Sequence, residues 1–398
     1  MVFKFYCSGL KEADGSEKFQ EEYEKKFDDF CGQILNFDNL VILAGSGTSL
    51  SFNPEDSASW IAPSMWHLWD VCSKINNFED VKNISQYEDQ APISEDGQTK
   101  EDVELLLSLI DQQLVFGSSS DKELLQTFKD AAIKEIISAT DFVSKKSNDL
   151  TEHWGSHRQF VNKLGIRKAK QARLKIFTTN YDMAFEQAAS DEGFIIIDGF
   201  DFSKPYRFNP MWYQYDVVRR SEQQGSGYLD NVLHLYKLHG SVDWCLIENE
   251  VRKHNGEKSE GEPVIIYPSS NKYRSSYDSP YLDMVSSFTN ALKQPNTALI
   301  CVGFGFNDDH LNNAINMALR TNVSLHLLVA TRSLLSSDNQ SIKTFKKLID
   351  DNQSKRVGLF DGDFRSFVDA IPAHGNKTPD IESAQAELKI LLKGANNG

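Results

Sequence analysis

The segment NLVILAGSGTS, Asn39 to Ser49, decides the fold class predicted for this chain. It opens with a continuous apolar run, Leu40–Ala44, and ends in small residues. Such a run is typical of a strand in a parallel sheet that is covered on both faces. Glycine and serine after the strand allow backbone N–H groups to approach a phosphate closely, and the hydroxyls of Thr48 and Ser49 add donors. Taken alone, the segment is equally compatible with an ordinary tight turn.

Seven further runs have the same buried-strand character. They are Leu174–Thr178, Phe194–Asp198, Val232–Leu238, Pro263–Tyr267, Ala298–Val302, Val323–Ala330 and Arg356–Phe360. Helical patterns lie between strands, for example Tyr281–Leu292 and Asp309–Leu319, and this alternation indicates a doubly wound domain. The predicted fold class is α/β, a Rossmann-like parallel sheet with a helical insertion domain.

The 398 residues suggest two or three domains. We expect a helical extension at 1–36, a Rossmann-like domain at 37–58 and 172–372, a helical insertion at 59–171, and a helix (Ile381–Leu392) with a polar tail at 373–398. Within the insertion, the polar and acidic stretch Asp80–Lys100 is predicted to be a loop. The insertion directly follows the glycine-rich turn, where a mobile lid would act.

Composition excludes several classes of protein. Asp and Glu number 57 against 42 Lys and Arg, a net charge of −15, which disfavours direct nucleic-acid binding. The five cysteines form no CxxC pair and no zinc-binding spacing, so we expect reduced thiols and no metal site. No apolar run approaches the ~20 residues of a membrane span, and the first residues do not resemble a signal peptide. We expect a cytoplasmic protein without membrane association.

A second chemical signal is LKIFTTNYD, Leu174 to Asp182. Strand residues run into Thr179, Asn180 and Asp182, at the strand's carboxyl end, where ligands bind in open parallel sheets. Asn and Asp are also common in turns, so a structural role explains this segment nearly as well.

Two more strand ends carry candidate site residues. In YKLHGSVDW, His239 precedes Gly240 and Ser241, so its ring is expected to lie exposed in a crevice, as an acid–base group or as a structural histidine. In ALICVGFGFND, Gly303 and Phe304 are expected to lie beside a ribose or phosphate. Asn307 and Asp308 are predicted to cap the next helix.

A hydride-transferring dehydrogenase is disfavoured. Leu50 occupies the place of the third glycine of the dinucleotide fingerprint, and no strand ending in an acidic residue follows about 20 residues later.

Jointly, AGSGTS, TTNYD, LHGS and VGFGFND resemble the ordered motifs of the sirtuin superfamily over residues 38–58 and 172–372. The resemblance is closest to bacterial sirtuin-like domains of antiphage defence, including those partnered with HerA-type DNA-translocating ATPases. Two departures stand out. The chain lacks the two cysteine pairs of the deacylase zinc module, and residues 51–56, SFNPED, replace the segment that follows the glycine-rich loop in deacylases.

The resemblance therefore implies hydrolysis of NAD rather than deacylation. It implies Asn180 and His239 as catalytic residues, with Asp182 beside them in the ribose pocket. The residues implied to bind NAD are Ala44, Gly45, Ser46, Gly47, Thr48, Ser49, Thr179, Gly303 and Phe304. NAD is the substrate, and no cofactor is required.

The same resemblance implies an NAD-depleting effector of abortive infection. We expect a homo-oligomer partnered with a hexameric HerA-type ATPase. The alternatives are a non-catalytic NAD or ADP-ribose sensor or scaffold, and a sirtuin-type deacylase or ADP-ribosyltransferase.

Overall fold

The computed structural model describes most of the chain. The described residues are 3–8, 17–53, 60–91, 93, 99, 101–118, 120–143, 155–167, 171–221, 225–254, 261–265, 279–351 and 355–372. The predicted C-terminal helix, Ile381–Leu392, lies outside them.

The strands and helices alternate along most of the described chain. The strands are β1 Lys4–Cys7, β2 Asn39–Ala44, β3 Leu174–Thr178, β4 Ile195–Ile197, β5 Val218–Ser221, β6 Gly225–Tyr228, β7 Val232–Lys237, β8 Gly240–Ile247, β9 Glu250–Lys253, β10 Glu262–Ile265, β11 Thr297–Val302, β12 His326–Thr331 and β13 Val357–Asp361. The helices are α1 Glu17–Leu35, α2 Ser46–Ser49, α3 Met65–Ser73, α4 Phe78–Ile84, α5 Tyr87–Gln90, α6 Val103–Phe116, α7 Lys122–Thr140, α8 Gly155–Gly165, α9 Ala184–Asp191, α10 Tyr281–Lys293, α11 Asp309–Thr321, α12 Gln340–Asp350 and α13 Phe364–Ala370. Two short 3-10 turns, Leu50–Phe52 and Pro210–Gln214, also occur among the described residues.

The central sheet has eight strands among the described residues, in the order β1-β13-β12-β11-β2-β3-β7-β4. All neighbours are parallel except β1, which pairs antiparallel with β13. The chain passes from β2 to β3 on one side and returns with β11 on the other, so the topological switch point lies between β2 and β11. The predicted α/β, Rossmann-like fold is confirmed.

Helices cover both faces of this sheet, as the continuous apolar strands predict. On one face α1, α8, α9 and α13 pack with β2 and β3, through side chains such as Phe27, Phe160 and Phe367. On the other face, α10, α11 and α12 pack against the same strands through side chains such as Phe288 and Phe345.

The prediction for the first 36 residues is wrong in part, because they are not only helical. β1 joins the sheet with Lys4 opposite Asp361, and its alternating pattern buries every second side chain. Phe3 and Phe5 pack on Phe27 of α1, with ring centroids 5.6 and 5.4 Å apart. A four-residue alternation is too short to stand out in the sequence.

The strand predicted at Pro263–Tyr267 is found at Glu262–Ile265, outside the central sheet. It pairs antiparallel with β8 in a three-stranded sheet, β10-β8-β9. Its residues are exposed or half-buried, unlike the strands of the main sheet. We call β10 a satellite strand because it lies in this small sheet, and its position in the sequence alone does not distinguish it from a strand of the central sheet.

The insertion packs around a core of its own, formed by α3 to α7. Its buried side chains include Leu68, Trp69, Leu106 and Phe128. The loop predicted at Asp80–Lys100 is wrong over its first half, where α4 and α5 continue to Gln90. Buried Val81 and Tyr87 anchor these short helices despite their acidic exposed faces.

The last helix within 59–171, α8, packs differently from the rest of the insertion. Phe160 and Val161 are buried in the core of the central sheet, and α8 lies against α9 and α13. This helix therefore serves as a covering helix of the Rossmann-like domain.

Candidate functional site

The four motifs predicted from the sequence meet at the carboxyl edge of the sheet. Backbone hydrogen bonds join their strand ends: Thr179 N–H donates to the Ala44 carbonyl (3.0 Å), and Leu238 N–H to that of Thr178 (2.8 Å). Across the switch point, Gly45 N–H donates to the Val302 carbonyl (3.0 Å). Residues far apart in the sequence thus line one crevice.

A cavity of about 190 Å³ lies in this crevice. It is lined by the motif residues Gly45, Ser46, Ser49, Thr179, Asn180, Tyr181, Asp182, His239, Phe304, Gly305, Asn307 and Asp308, and by Pro63, Met65, Leu68, Glu104, Thr140 and Phe142 of the insertion. All three predicted catalytic residues, Asn180, Asp182 and His239, therefore face one space.

Asn180 is held rigidly and still offers an unpaired acceptor. The side chain is 7% exposed. Its Nδ2 donates to the Gly45 carbonyl (3.1 Å), Thr48 Oγ1 (3.1 Å) and Ser49 Oγ (2.8 Å). Its Oδ1 is buried without a hydrogen-bond partner in the described part of the chain. A buried carbonyl oxygen without a partner is costly, so a donor on a bound ligand or water would stabilise it.

Asp182 has both carboxylate oxygens engaged. Oδ2 accepts a hydrogen bond from Ser49 Oγ (2.5 Å), and Oδ1 accepts one from Ala184 N–H (3.0 Å) at the start of α9. Ser49 in turn accepts from Asn180, so one chain of hydrogen bonds runs from Asp182 through Ser49 to Asn180. Asp182 is thus placed to fix the Asn180 amide and to supply negative charge beside the cavity.

His239 lies in the cavity wall and is paired with a carboxylate. Its side chain lines the cavity, as expected for a ring in a crevice, with 12% of its surface exposed. The ring Nε2 lies 3.1 Å from Asp308 Oδ2. The turn depends on Gly240, whose φ is +84° and where a Cβ would lie 2.2 Å from the Val264 carbonyl oxygen.

Asp308 does more than the capping predicted for it. Its Oδ1 accepts from the N–H groups of His310 (3.0 Å) and Leu311 (3.3 Å), which is the predicted helix cap. Its Oδ2 faces His239, a contact that sequence reasoning missed. An Asp–His pair separated by 69 positions leaves no local signal in the sequence.

The glycine-rich turn packs closely against the turn that contains Gly303, a contact that was not predicted. A Cβ on Gly47 would lie 2.7 Å from Gly303 Cα, so the two turns touch only because both positions are glycine. Three N–H groups of the turn, those of Gly45, Gly47 and Thr48, already donate to backbone carbonyls.

The hydroxyls of Thr48 and Ser49 donate to protein groups in the structure. Thr48 Oγ1 donates to the Gly45 carbonyl (2.8 Å), and Ser49 Oγ donates to Asp182. The Ser49 hydroxyl thus helps to position Asp182, whereas the Thr48 hydroxyl is bonded to the backbone of its own turn. Ala44 is fully buried as the last residue of β2, and Ser46 is the exposed residue of the turn.

A second cavity of about 220 Å³ lies on the other side of the two turns. It is lined by Ser46, Gly47, Leu50, Ser51, Gly303, Gly305, Thr331, Arg332, Gly362, Asp363 and Phe364. Ser46 and Gly305 line both cavities, so the two are adjacent. Arg332 Nη2 lies 2.9 Å from Asp363 Oδ2. Burial alone would raise the pKa of Asp363, but hydrogen bonds from Ser366 and Arg332 hold it below its usual value.

Lys237 is a further residue beneath the site that sequence reasoning missed. It is 2% exposed, and its Nζ donates to the Asp182 carbonyl and lies 3.2 Å from Glu186 Oε1. Burial raises the pKa of Glu186, and the Lys237 ammonium opposes that rise. The available signal was a lysine in the otherwise apolar run before His239.

No cluster of His, Cys, Asp and Glu that could hold a metal ion occurs among the described residues. All five cysteines are free and buried. Burial raises the pKa of Cys31 and of Cys72 to about 12, so these thiols stay protonated at neutral pH. No helix in the described part of the chain is long and apolar enough to cross a membrane.

The fold and the two cavities define the class: a Rossmann-like α/β protein with cavities at the strand carboxyl ends, where ligands bind in open parallel sheets. Residues 174–349 match the family model of the SIR2-like domain. Over these residues the chain is similar to SIR2-like domains, which are generally NAD-dependent enzymes. A search among curated proteins found no match.

Proposed function

We propose that this protein is an NAD⁺ hydrolase that cleaves the bond between nicotinamide and ribose. The observation that carries the proposal is the buried, unpaired Oδ1 of Asn180 in the same cavity as the His239–Asp308 pair. An oriented acceptor and a carboxylate-paired histidine are groups that can position a water molecule and accept its proton.

In the proposed reaction the nicotinamide riboside half of NAD⁺ lies in the 190 Å³ cavity. The nicotinamide leaves with the electron pair of the C–N bond, and positive charge develops on the ribose. Water adds to C1′, which yields ADP-ribose and neutral nicotinamide, and its proton passes through His239 to solvent. The Asp182 carboxylate beside the cavity favours the developing positive charge.

Asn180 and His239 have separate tasks in this mechanism. Asn180 Oδ1 accepts a hydrogen bond from the attacking water or a ribose hydroxyl. Asp308 accepts the Nε2 proton of His239, so Nδ1 is left as the basic nitrogen. A positioned base typically contributes about 10²- to 10⁴-fold to the rate.

The remainder of NAD⁺ would extend past Ser46 and Gly305 into the 220 Å³ cavity. The Arg332 guanidinium lines that cavity beside its partner Asp363, so a cation lies near the proposed place of the diphosphate. The anionic diphosphate lies toward Arg332, and the cationic pyridinium ring lies toward Asp182.

Incubation of the purified chain with NAD⁺, followed by chromatography, tests the proposal. We expect nicotinamide and ADP-ribose in equal amounts. Loss of acyl groups from acyl-lysine peptides, transfer of ADP-ribose to protein, or tight NAD⁺ binding without turnover would instead support the deacylase, transferase or sensor alternatives.

On the basis of the motif resemblance, we also propose that this activity is the NAD-depleting effector step of an antiphage defence system. The chain would act in the cytoplasm as a homo-oligomer bound to a hexameric HerA-type ATPase. Co-expression with a neighbouring ATPase gene, followed by sedimentation and NAD⁺ measurement during infection, tests this role. A stable monomer with full turnover in the absence of infection would contradict it.

A further inference from the structure

The helical insertion forms one wall of the cavity that holds Asn180 and His239. Six of its residues line that cavity: Pro63, Met65, Leu68, Glu104, Thr140 and Phe142. Five of them are apolar or neutral, and Glu104 is the exception. The insertion therefore contributes one carboxylate to the space in which the proposed reaction takes place.

Glu104 is held in place by the start of α6. Asp102 caps this helix, with Oδ1 accepting from Leu105 N–H (2.9 Å). The Asp102 N–H in turn donates to the hydroxyl of Tyr87 (2.7 Å), a side chain that is 1% exposed. Val103, which precedes Glu104, is buried in the insertion core. Glu104 lies in the first helical turn, where a negative charge is favoured by the helix dipole.

The described residues that line the cavity bring three carboxylates and one histidine, which is paired with Asp308. Glu104, Asp182 and Asp308 line it, and neither lysine nor arginine is found among the lining residues that the structure describes. Asp182 and Asp308 are each bound to backbone N–H groups of the sheet domain. Glu104 is the carboxylate that the insertion adds to the cavity lining, whereas Asp182 and Asp308 belong to the sheet domain.

We infer that Glu104 determines specificity for a positively charged ring, the oxidised pyridinium of NAD⁺, over the neutral dihydropyridine of NADH. The inference rests on the proposed function, since it names the form of the dinucleotide that the site selects. Both forms carry the same diphosphate and adenosine, so a carboxylate beside the ring distinguishes them by charge. The insertion is thereby part of the binding site and not only a cover over it.

Binding of NAD⁺ and NADH to the full-length chain tests the inference. Affinities are measured by titration calorimetry, and every protein tested also carries His239→Ala so that NAD⁺ is not hydrolysed during the measurement. Glu104→Gln is expected to lower the ratio of NAD⁺ to NADH affinity by about tenfold, the size of one partly screened charge interaction. Glu104→Asp keeps the charge and is expected to retain most of the ratio.

Glu123→Gln is the matched control. Glu123 lies in the first turn of α7 in the same insertion but is exposed and lines neither cavity. It should leave the ratio unchanged. An equal ratio in Glu104→Gln and Glu123→Gln, with both dinucleotides still bound, would overturn the inference and leave the proposed function standing. A chain that binds neither dinucleotide would overturn both.

Discussion

Asp308 Oδ2 lies 3.1 Å from His239 Nε2, and Oδ1 of the same carboxylate caps α11. One residue therefore fixes the start of a helix and the orientation of the candidate base. Because the helix and the histidine belong to elements on opposite sides of the switch point, this pair joins the two halves of the Rossmann-like domain at the site.

Asp308→Asn is expected to lower kcat for NAD⁺ hydrolysis by about 10- to 100-fold, by analogy with the loss seen when the hydrogen-bond partner of a metal-binding histidine is removed. Asparagine also caps helices well, so the free energy of unfolding should change little. The pH dependence of kcat is the decisive readout, since a purely structural role would not shift its acidic limb. Asp309→Asn, at the exposed neighbouring position, is the control. If the pH dependence of kcat is the same in Asp308→Asn as in Asp309→Asn, Asp308 is excluded from the mechanism.

Asn180→Ala is expected to reduce turnover by about 10²-fold or more. The change removes the unpaired Oδ1 and the three hydrogen bonds that hold the amide against the glycine-rich turn. Steady-state kinetics measure the loss, and circular dichroism tests whether the fold is retained. Hydrolysis near the wild-type rate in a folded Asn180→Ala chain would remove this residue from the proposed mechanism.

Gly303→Ala is expected to destabilise the protein by about 1–3 kcal/mol. Its φ is +58°, and a Cβ there would lie 2.4 Å from Thr48 N. Gly32→Ala is the control, because Gly32 lies in helix α1 with nothing within 4 Å of an added Cβ. That change should be stabilising by about 0.5–1 kcal/mol. Urea unfolding measures both, and equal effects would contradict the close packing of the two turns.

Stability is expected to fall in mild acid because two histidines are buried in neutral form. Burial lowers the pKa of His157 to about 3; burial, assisted by the charge of Lys175, lowers that of His234 to about 4. From their ordinary value of about 6.5 down to these values, the unfolded chain binds more protons than the folded one. The free energy of unfolding therefore decreases as pH falls through this window.

At pH 5, His157 alone should cost about 2 kcal/mol relative to neutral pH. His157→Phe tests this, since the ring is packed among Phe52, Phe185 and Phe364. Urea unfolding at pH 7 and pH 5 should show a smaller acid loss in this variant than in the wild type. The same loss in both proteins would show that His157 is not the group responsible.

Much of the fold was predictable because it depends on local pattern. Continuous apolar runs such as Leu174–Thr178 identified the strands of the central sheet, and the small or polar residues after them identified its functional edge. β1 and the satellite strand β10 were missed or misplaced. Their character depends on which neighbour they pair with, and a short pattern does not encode that.

Individual residues of the candidate site were predictable from the sequence, but the contacts between them were not. Asn180, Asp182 and His239 were identified at strand ends, and the structure places them around one cavity. The partners that fix them were not identified. Asp308, which faces His239, resembles any helix cap in sequence. Glu104 fixes none of the three but lines the same cavity, and in sequence it is one of many acidic residues in the insertion. Contacts between side chains more than 60 positions apart follow from the tertiary fold and not from local spacing.

Release of nicotinamide in ¹⁸O-labelled water tests the central claim most directly. The wild-type chain, alone or with its proposed ATPase partner, is compared with His239→Ala at equal concentration. We predict that the wild type releases nicotinamide together with ADP-ribose carrying one ¹⁸O at C1′, and that His239→Ala does so at least about 10²-fold more slowly. Equal rates in both proteins, or NAD⁺ left intact by the wild type under all these conditions, would contradict the account.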